Sequence, residues 1–244
     1  MMLEINCDMG EFETLELDLK LFPYIDILNI ATGGHAGSKE HILELAYQAF
    51  QSDKLFSAHF GYDDILNFGR VEHNWTPSVI LDQMKVQWAE LPKLSDIGGW
   101  KWVKFHGALY NRLMKDNELA ETLIRWLVKE GFEGLIAPRG SAQARVAMSK
   151  GVTVKYEVFL ERRYVLNELG DFELMPRSME GAVINNLADA LNQYANIVDG
   201  KEIKIPKLCG GSSFCVMQGD TACVHSDSQI ALELVRSIHE LKYG

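Results

Sequence analysis

The hydrophobic positions of the chain form short, β-rich apolar runs that alternate with longer stretches of helical spacing. Amphipathic helices are predicted over Lys39–Phe50, Glu118–Lys129 and Gln229–Leu241, and Thr76-Pro77 and Asp227-Ser228 are helix start signals. The apolar runs predict seven strands: Leu3–Cys7, Ile27–Ala31, Leu55–Ala58, Trp100–Phe105, Gly134–Ala137, Thr153–Phe159 and Ala222–Val224. Strands that alternate with helices imply a parallel sheet, and about seven such units in one domain favour a closed barrel.

Length and composition narrow the class of protein. No repeat or linker divides the 244 residues, so we predict one domain over 1–244, an α/β fold built as a single parallel (β/α) barrel. The formal net charge is −10 and Lys and Arg are not clustered, which argues against nucleic acid as a partner. No run of about 18 apolar residues predicts a membrane span, and the N-terminal residues lack the basic start of a secretory signal. We therefore expect a cytoplasmic protein.

The four cysteines show no Cys-x-x-Cys pair, so they do not predict a structural zinc site. We interpret them as reduced, buried thiols.

Polar residues able to do chemistry follow nearly every predicted strand. In parallel α/β folds the loops at the carboxyl ends of the strands converge on one mouth, where ligands bind. A single histidine at a strand end is more often a structural group than a ligand, but four of the seven histidines fall on this edge. The candidates are Asp8, His35, His59, His106, Glu157, Arg162, His225 and Asp227.

Neighbouring residues strengthen this interpretation. Glycines surround His35, where they permit positive φ and close approach of backbone to a ligand. Lys104 lies two positions before His106 on the same strand face, and a partly desolvated lysine there needs an anionic partner. Arg162 and Arg177 supply guanidinium groups that match carboxylates and phosphates, although ion pairs with Glu161 and Asp171 are an equal alternative.

Two chemical schemes use these residues, and spacing alone does not choose between them. In one, Asp8, His35 and His59 bind a divalent cation, as in hydrolytic metal sites. In the other, Asp8 or Asp227 is a general base, and Lys104 or His106 stabilises a developing oxyanion without a metal. The chain has no Gly-x-Ser-x-Gly elbow, Walker phosphate loop or Gly-x-Gly-x-x-Gly, which disfavours a serine hydrolase and an independent P-loop ATPase.

Six ordered motifs, running from residue 3 to the C-terminus, resemble those of the LamB/YcsF family. They are Asn6–Glu11, Asn29–Gly37, Ala58–Asp64 with Phe68-Gly69-Arg70, Val103–Asn111, Glu157–Tyr164 with Arg177-Ser178, and Cys223–Asp227. The resemblance implies a distorted barrel of the glycoside hydrolase/deacetylase type. It also implies ring opening of 5-oxo-L-proline to L-glutamate coupled to ATP hydrolysis, together with separate B and C subunits.

The resemblance extends to the site residues. Asp8, His35, His59, His106 and Asp227 are expected to be catalytic. A small anionic substrate is expected to contact Glu11, Lys104, Tyr110, Asn111, Glu157, Arg162, Arg177 and His225. ATP is expected as a co-substrate, bound by this chain or by its partners, and the presence of a divalent metal stays open.

Five residues depart from the family pattern. Phe60 and Phe105 stand where proline is usual, Ser38 and Glu161 where aspartate is usual, and Ser226 where glycine is usual. Because these positions border the expected mouth, they bear on substrate identity more than on the fold.

The first hypothesis is therefore a hydrolase subunit of the 5-oxoprolinase type. The alternatives are a metal-dependent, deacetylase-like amidohydrolase acting on a sugar or small amide, and a subunit that binds a ligand without turning it over.

Overall fold

Seven parallel strands close into a barrel, as the alternation of strands and helices predicts. The computed structural model describes residues 3–94, 98–168, 170 and 172–244. The barrel strands, in spatial order, are β1 (Glu4–Met9), β2 (Ile27–Ala31), β3 (Leu55–Phe60), β4 (Trp102–Phe105), β5 (Gly134–Ala137), β6 (Thr153–Phe159) and β11 (Thr221–His225), which pairs with β1. The predicted barrel of about seven strands is confirmed, with strand ends that differ by at most two residues from those predicted.

Two antiparallel hairpins interrupt the alternation between β6 and β11. One joins β7 (Tyr164–Leu166) to β8 (Phe172–Leu174), and the other joins β9 (Glu202–Pro206) to β10 (Ser212–Val216). The apolar runs did not predict either hairpin. They lie beyond the carboxyl end of β6 and supply one wall of the barrel mouth.

Helices cover the barrel from outside. They are α1 (Glu16–Leu21), α2 (Lys39–Gln51), α3 (Pro77–Glu90), α4 (Gly107–Arg112), α5 (Asn117–Lys129), α6 (Ala142–Ser149), α7 (Leu187–Val198) and α8 (Ala231–Tyr243), with short 3₁₀ turns at Phe22–Tyr24 and Ile65–Asn67. Their buried faces join the outward side chains of the strands in one large apolar cluster. Among the described residues, no helix is both long and apolar enough to cross a lipid bilayer.

One of the two predicted helix start signals caps its helix. The Thr76 hydroxyl accepts a hydrogen bond from the Val79 amide and Pro77 opens α3. The signal at Asp227-Ser228 precedes the last helix but does not cap it: α8 begins after Ile230 without a side-chain cap, and the Ser228 hydroxyl accepts a hydrogen bond from the Ile230 amide at 3.4 Å. Asp227 instead pairs with Arg70, 2.7 Å from its guanidinium, so its carboxylate is not free to cap the helix.

The prediction of buried thiols holds for two of the cysteines. Cys7 and Cys223 are buried on adjacent barrel strands, but Cys209 is exposed and Cys215 is partly exposed. The last two lie in and beside the β9–β10 hairpin, which packs outside the barrel.

Candidate functional site

The register of the barrel strands brings the candidate residues together at its carboxyl end. Asp8 on β1 is level with His225 on β11, and His59 on β3 is level with Lys104 on β4. His106 follows β4 directly. Because side chains of parallel neighbours at one level point the same way, the acids, the lysine and the histidines meet in the same layer.

Three histidines and one glutamate form a buried cluster at this mouth. The Glu11 Oε1 atom lies 3.0 Å from His35 Nε2, 3.2 Å from His106 Nδ1 and 3.7 Å from His59 Nε2. The rings of His35 and His106 stack with centroids 3.7 Å apart. The Glu11 carboxylate thus joins the three histidines, and its expected contact with substrate stays a prediction.

The hydrogen bonds of the cluster fix two imidazole tautomers. His59 Nδ1 lies 3.0 Å from the Lys104 carbonyl oxygen, and His106 Nε2 lies 2.9 Å from the Phe68 carbonyl oxygen. A carbonyl oxygen only accepts, so both of these nitrogens carry a proton and donate it. The remaining nitrogens, His59 Nε2 and His106 Nδ1, face each other at 3.0 Å. Two neutral imidazoles would oppose lone pairs there, so a proton or a metal cation has to lie between them.

Burial and mutual contacts shift the pKa values of three members of the cluster. Desolvation, and then the neighbouring His106, lower the pKa of His35 to about 3. Desolvation also lowers the pKa of His106. Burial by itself raises the pKa of Glu11, but the hydrogen bonds to His106 and His35 outweigh it and hold that pKa well below its usual range. The cluster therefore brings a carboxylate together with imidazole nitrogens, the donor set that borderline divalent metals prefer.

Lys104 lies under the mouth between two carboxylates. Its Nζ atom is 2.8 Å from Asp8 Oδ1 and 2.8 Å from Glu157 Oε1, and it also contacts Asn6 Oδ1 at 3.2 Å. Burial alone lowers the pKa of Lys104, but the Asp8, Cys223 and Glu157 charges reverse the shift and raise it well above its usual value. The ammonium protons therefore point to groups of the protein.

Asp8 links the lysine to the histidine cluster. Its Oδ2 atom lies 3.3 Å from His59 Nε2, and its Oδ1 atom accepts hydrogen bonds from Lys104 and from Asn29 Nδ2. Although burial raises its pKa, the charges of His59 and Lys104 outweigh that effect and hold the pKa of Asp8 well below its usual range. Asp8 is thus an ionised carboxylate at the edge of the cavity.

A polar network inside the barrel, which no sequence motif predicts, supports this layer from below. Ser57 donates to Asn29, Asn29 to Asn6, and Asn6 to Thr221, with distances of 2.8, 2.8 and 2.9 Å. All four side chains are fully buried, and their bonds satisfy one another. Their alternation with apolar residues along β1 and β2 was a readable signal for inward-facing polar positions.

A cavity of about 710 Å³ opens above the layer. Asp8, Lys104 and His106 contribute to its floor, and the two hairpins contribute an apolar wall that includes Phe172, Leu174 and Met217. The substrate-binding candidates Tyr110, Asn111, Glu157, Arg162, Arg177 and His225 all line it. Tyr110 is buried and donates to Glu157 Oε2 at 2.8 Å, whereas Asn111 is exposed at the rim.

The remaining acidic candidates are separated from the histidine cluster. Asp227 lies at the rim in its ion pair with Arg70, a residue of the third motif for which the sequence predicts no role in the site. Glu161 accepts a hydrogen bond from the His225 amide and forms no ion pair with Arg162 or Arg177 among the described residues. Asp171, the other partner considered for these arginines, lies outside the described residues.

The expected metal ligands are only partly brought together. The atoms of Glu11, His35, His59 and His106 all lie within 4.8 Å of one another, whereas Asp8 forms a second group with Cys223 and His225. An ion in the first group would be held by Glu11, His35, His59 and His106, and Asp8 borders that group with its Oδ2 atom 3.3 Å from His59 Nε2.

Glycines near His35 let the loops approach it closely. Gly33 and Gly37 have φ of +94° and +102°, as their predicted role requires. A Cβ atom on Gly61 would lie 2.5 Å from His35 Nδ1, so only glycine fits against the ring.

The residues that depart from the family pattern have different surroundings. Phe60 packs away from the mouth against Trp126 and Phe132, and Ser38 caps α2. Phe105 lines the cavity. Glu161 Oε1 and Ser226 Oγ are buried beside His225 without hydrogen-bond partners among the described residues.

Comparison with known proteins agrees with this arrangement. Residues 3–242 match the model of the LamB/YcsF family. The chain is 32% identical to the 5-oxoprolinase A subunit of Syntrophobacter fumaroxidans, covering 97% of this chain and 93% of that protein. It is 31% identical to the 5-oxoprolinase A subunit of Thermococcus onnurineus, covering 99% and 94%.

A solved structure is also similar. The lactam utilization protein of Thermus thermophilus superposes with a TM-score of 0.75 and 29% identity, over 98% of this chain and 95% of that one. The family match spans every strand of the barrel and every residue of the mouth, and on that basis the chain belongs to the LamB/YcsF family.

Proposed function

We propose that this chain is the hydrolytic subunit of a 5-oxoprolinase, which opens the lactam of 5-oxo-L-proline to L-glutamate with B and C partner subunits and ATP. The observation that carries the proposal is the ionised Asp8 at the edge of a cavity whose rim bears arginines. The names of the relatives and of the similar structure support a lactam as the substrate class.

The net reaction adds one water across the lactam C–N bond. The water oxygen joins the carbonyl carbon, the ring nitrogen leaves as an amine, and one water proton goes to that nitrogen. Asp8 is the group we assign to accept the proton of the attacking water, because its carboxylate is ionised and lines the cavity. An unstrained lactam is a poor electrophile, so phosphorylation of its oxygen by ATP, bound here or on the partners, would supply the activation and release ADP. Expulsion of the ring nitrogen would then leave an acyl phosphate, which a second water hydrolyses to the carboxylate and inorganic phosphate.

Lys104 has a positioning role in this scheme. It keeps Asp8 ionised and oriented, while Glu157 and Tyr110 hold the lysine from the other side. Asp227 is more exposed and paired with Arg70, which suits a group at the entrance better than the base itself.

The test is reconstitution. The purified chain, B and C subunits of a relative, 5-oxoproline and ATP are combined, and glutamate release is measured; the relative's own counterpart of this chain serves as the positive control. Asp8→Asn should lower kcat by about 10²–10⁴. The matched control is Asp82→Asn on the exposed face of α3, which should leave kcat unchanged. No ATP-dependent glutamate, where the relative's own counterpart is active, refutes the proposal.

A second candidate function is a metal-dependent amidohydrolase, and the facing nitrogens of His59 and His106 favour it. A divalent ion held by Glu11, His35, His59 and His106 would remove the conflict between their lone pairs and would polarise an amide oxygen. The backbone carbonyls that fix two of these rings are the outer partners typical of metal-binding histidines.

Metal binding is tested without reference to activity. Chelator-treated protein is titrated with Zn²⁺ by calorimetry and with Co²⁺ by visible absorption. We expect one site that His59→Ala weakens by about tenfold or more, while His239→Ala on α8 has no effect. Absence of a site in the wild type, or equal binding by His59→Ala, refutes the metal.

A chain that only binds its ligand would give no turnover for Asp8→Asn to lose.

A further inference from the structure

Two guanidinium groups at the rim of the cavity have no anionic partner among the described residues. Arg162 is buried, with 7% of its surface exposed, and its Nη2 atom donates to the Met175 carbonyl at 2.7 Å. Its Nε atom is buried and meets no acceptor in the part of the chain that the structure describes. Arg177 also lines the cavity, and in the described part of the chain it forms no ion pair.

A third guanidinium completes the group. Arg70 lines the same cavity and is paired with Asp227. The three arginines are close enough to lower one another's pKa values. Burial and then the Arg177 charge lower the pKa of Arg162 to about 10, and burial and then the Arg70 charge lower the pKa of Arg177. Like charges held together in this way indicate a site whose anion is supplied from outside the chain.

We propose that Arg162 and Arg177, with Arg70 beside them, form a binding site for a phosphoryl group. Two guanidiniums without an anion within residues 3–94, 98–168, 170 and 172–244 match a dianion, whereas the carboxylate of a small lactam acid would neutralise only one of them. The planar, fork-shaped donors of arginine fit phosphate oxygens in pairs.

The cavity has room for a phosphorylated ligand. Its volume of about 710 Å³ lies in the range of roughly 300–1,000 Å³ that holds drug-sized molecules, far beyond the needs of 5-oxoproline alone. The phosphoryl group belongs either to a substrate phosphorylated on its lactam oxygen or to a nucleotide. The inference of an anion site depends only on the arginines, whereas the assignment of the phosphoryl group to one of these two sources rests on the proposed function.

Three neighbouring cationic side chains already contact an aromatic ring or a carboxylate of the protein. The guanidinium of Arg139 stacks 3.9 Å from the Tyr156 ring, and Lys115 is an exposed residue facing Glu173. Arg163, next to Arg162 in sequence, points away and pairs with Asp189 at 2.9 Å. Arg163 is therefore the matched control.

The test is calorimetric titration of the full chain with inorganic phosphate at constant ionic strength. We expect saturable binding that Arg162→Gln and Arg177→Gln each weaken by about tenfold or more, and that Arg163→Gln leaves unchanged. Arg177 is exposed, so its substitution tests the site even if Arg162→Gln fails to fold. Titrations with a non-hydrolysable ATP analogue and with a small phosphonate then separate the sources. Tighter binding of the analogue indicates a nucleotide, and equal or tighter binding of the phosphonate indicates a phosphorylated substrate.

Two results overturn the proposal. One is the absence of saturable phosphate or phosphonate binding with a Kd below about 10 mM. The other is equal binding by Arg177→Gln, Arg163→Gln and the wild type. Because no partner subunit or turnover enters this measurement, arginine-dependent binding without glutamate release in the reconstituted mixture would retain the site and reject the 5-oxoprolinase function.

Discussion

Replacing Lys104 by Met tests whether the buried charges of the mouth depend on one another. The substitution keeps the length of the side chain and removes an ammonium that lies 2.8 Å from Asp8 and 2.8 Å from Glu157. At an effective dielectric constant of about 20, each contact is worth roughly 6 kcal/mol of attraction before desolvation of the ions is subtracted. Removing one partner from a buried ion pair typically costs about 3–5 kcal/mol, because the other charge is left uncompensated.

We therefore expect Lys104→Met to lower the free energy of unfolding by about 3–5 kcal/mol, or the melting temperature by about 6–20 °C for a chain of this size. The double variant Lys104→Met/Glu157→Gln should recover roughly half of that loss, since only Asp8 is then stranded. A glutamine at position 157 still offers an oxygen to the Tyr110 hydroxyl. The control is Lys101→Met, whose exposed ion pair with Glu133 should contribute less than about 1 kcal/mol.

The assay is urea unfolding followed by circular dichroism, at several pH values. Without Lys104 the carboxylates of Asp8 and Glu157 stay buried with less compensating charge, so the penalty for burying them ionised is present at neutral pH and disappears as they bind protons at lower pH. The difference between Lys104→Met and the wild type should accordingly shrink toward acid. A single variant within about 1 kcal/mol of the wild type, or a double variant less stable than the single one, would refute the reasoning.

Three further changes test other parts of the structure. Burial raises the pKa of Asp18 from 3.8 to about 6, so the folded state binds the proton more tightly and the protein loses stability as the pH rises from about 4 to 6. In urea unfolding, Asp18→Asn should therefore gain on the order of 3 kcal/mol of unfolding free energy relative to the wild type between pH 4 and 7. Parallel pH curves for the two proteins would contradict this. Gly61→Ala places a Cβ atom 2.5 Å from His35, so we expect it to lower the free energy of unfolding by about 1–3 kcal/mol and to displace the His35 ring in a crystal structure. An unmoved His35 would count against the close fit. Asp227→Asn removes the anionic partner of the partly exposed Arg70, so the free energy of unfolding should change by less than about 1 kcal/mol. Calorimetry should detect tighter phosphate binding, because Arg70 is then free to contact the anion. Weaker binding would contradict the assignment of the arginines to a phosphoryl site.

The barrel could be predicted from the sequence because each strand is a compact apolar run and each long helix has one apolar face. Thr153–Phe159 and Gly134–Ala137 were predicted to the residue. The hairpins were missed for the opposite reason. Glu202–Pro206 alternates polar and apolar residues as an exposed strand does, and its partner strand is recognisable only once the two are paired.

The site was predicted in outline but not in its grouping. Strand ends identified Asp8, His59 and His106, because the barrel topology alone brings them to one mouth. Placing Glu11 among the histidines required the path of the loop after β1, which no local pattern encodes. The pairing of Arg70 with Asp227 likewise joins residues 157 positions apart, so the free guanidiniums of the rim became visible only in the folded chain.

The distribution of charge across the mouth orients whatever binds there. The floor holds the carboxylates of Asp8, Glu11 and Glu157 against one ammonium, so an anionic group is repelled from it. The guanidiniums left without an anion in the described part of the chain stand at the rim and attract such a group. A ligand with an uncharged amide and a separate anionic group therefore enters with the amide toward Asp8 and the anion toward Arg177. The net charge of −10 does not oppose this, because interactions with acids on the outer helices are screened over about 8–10 Å at physiological salt, whereas the rim charges act at contact distance.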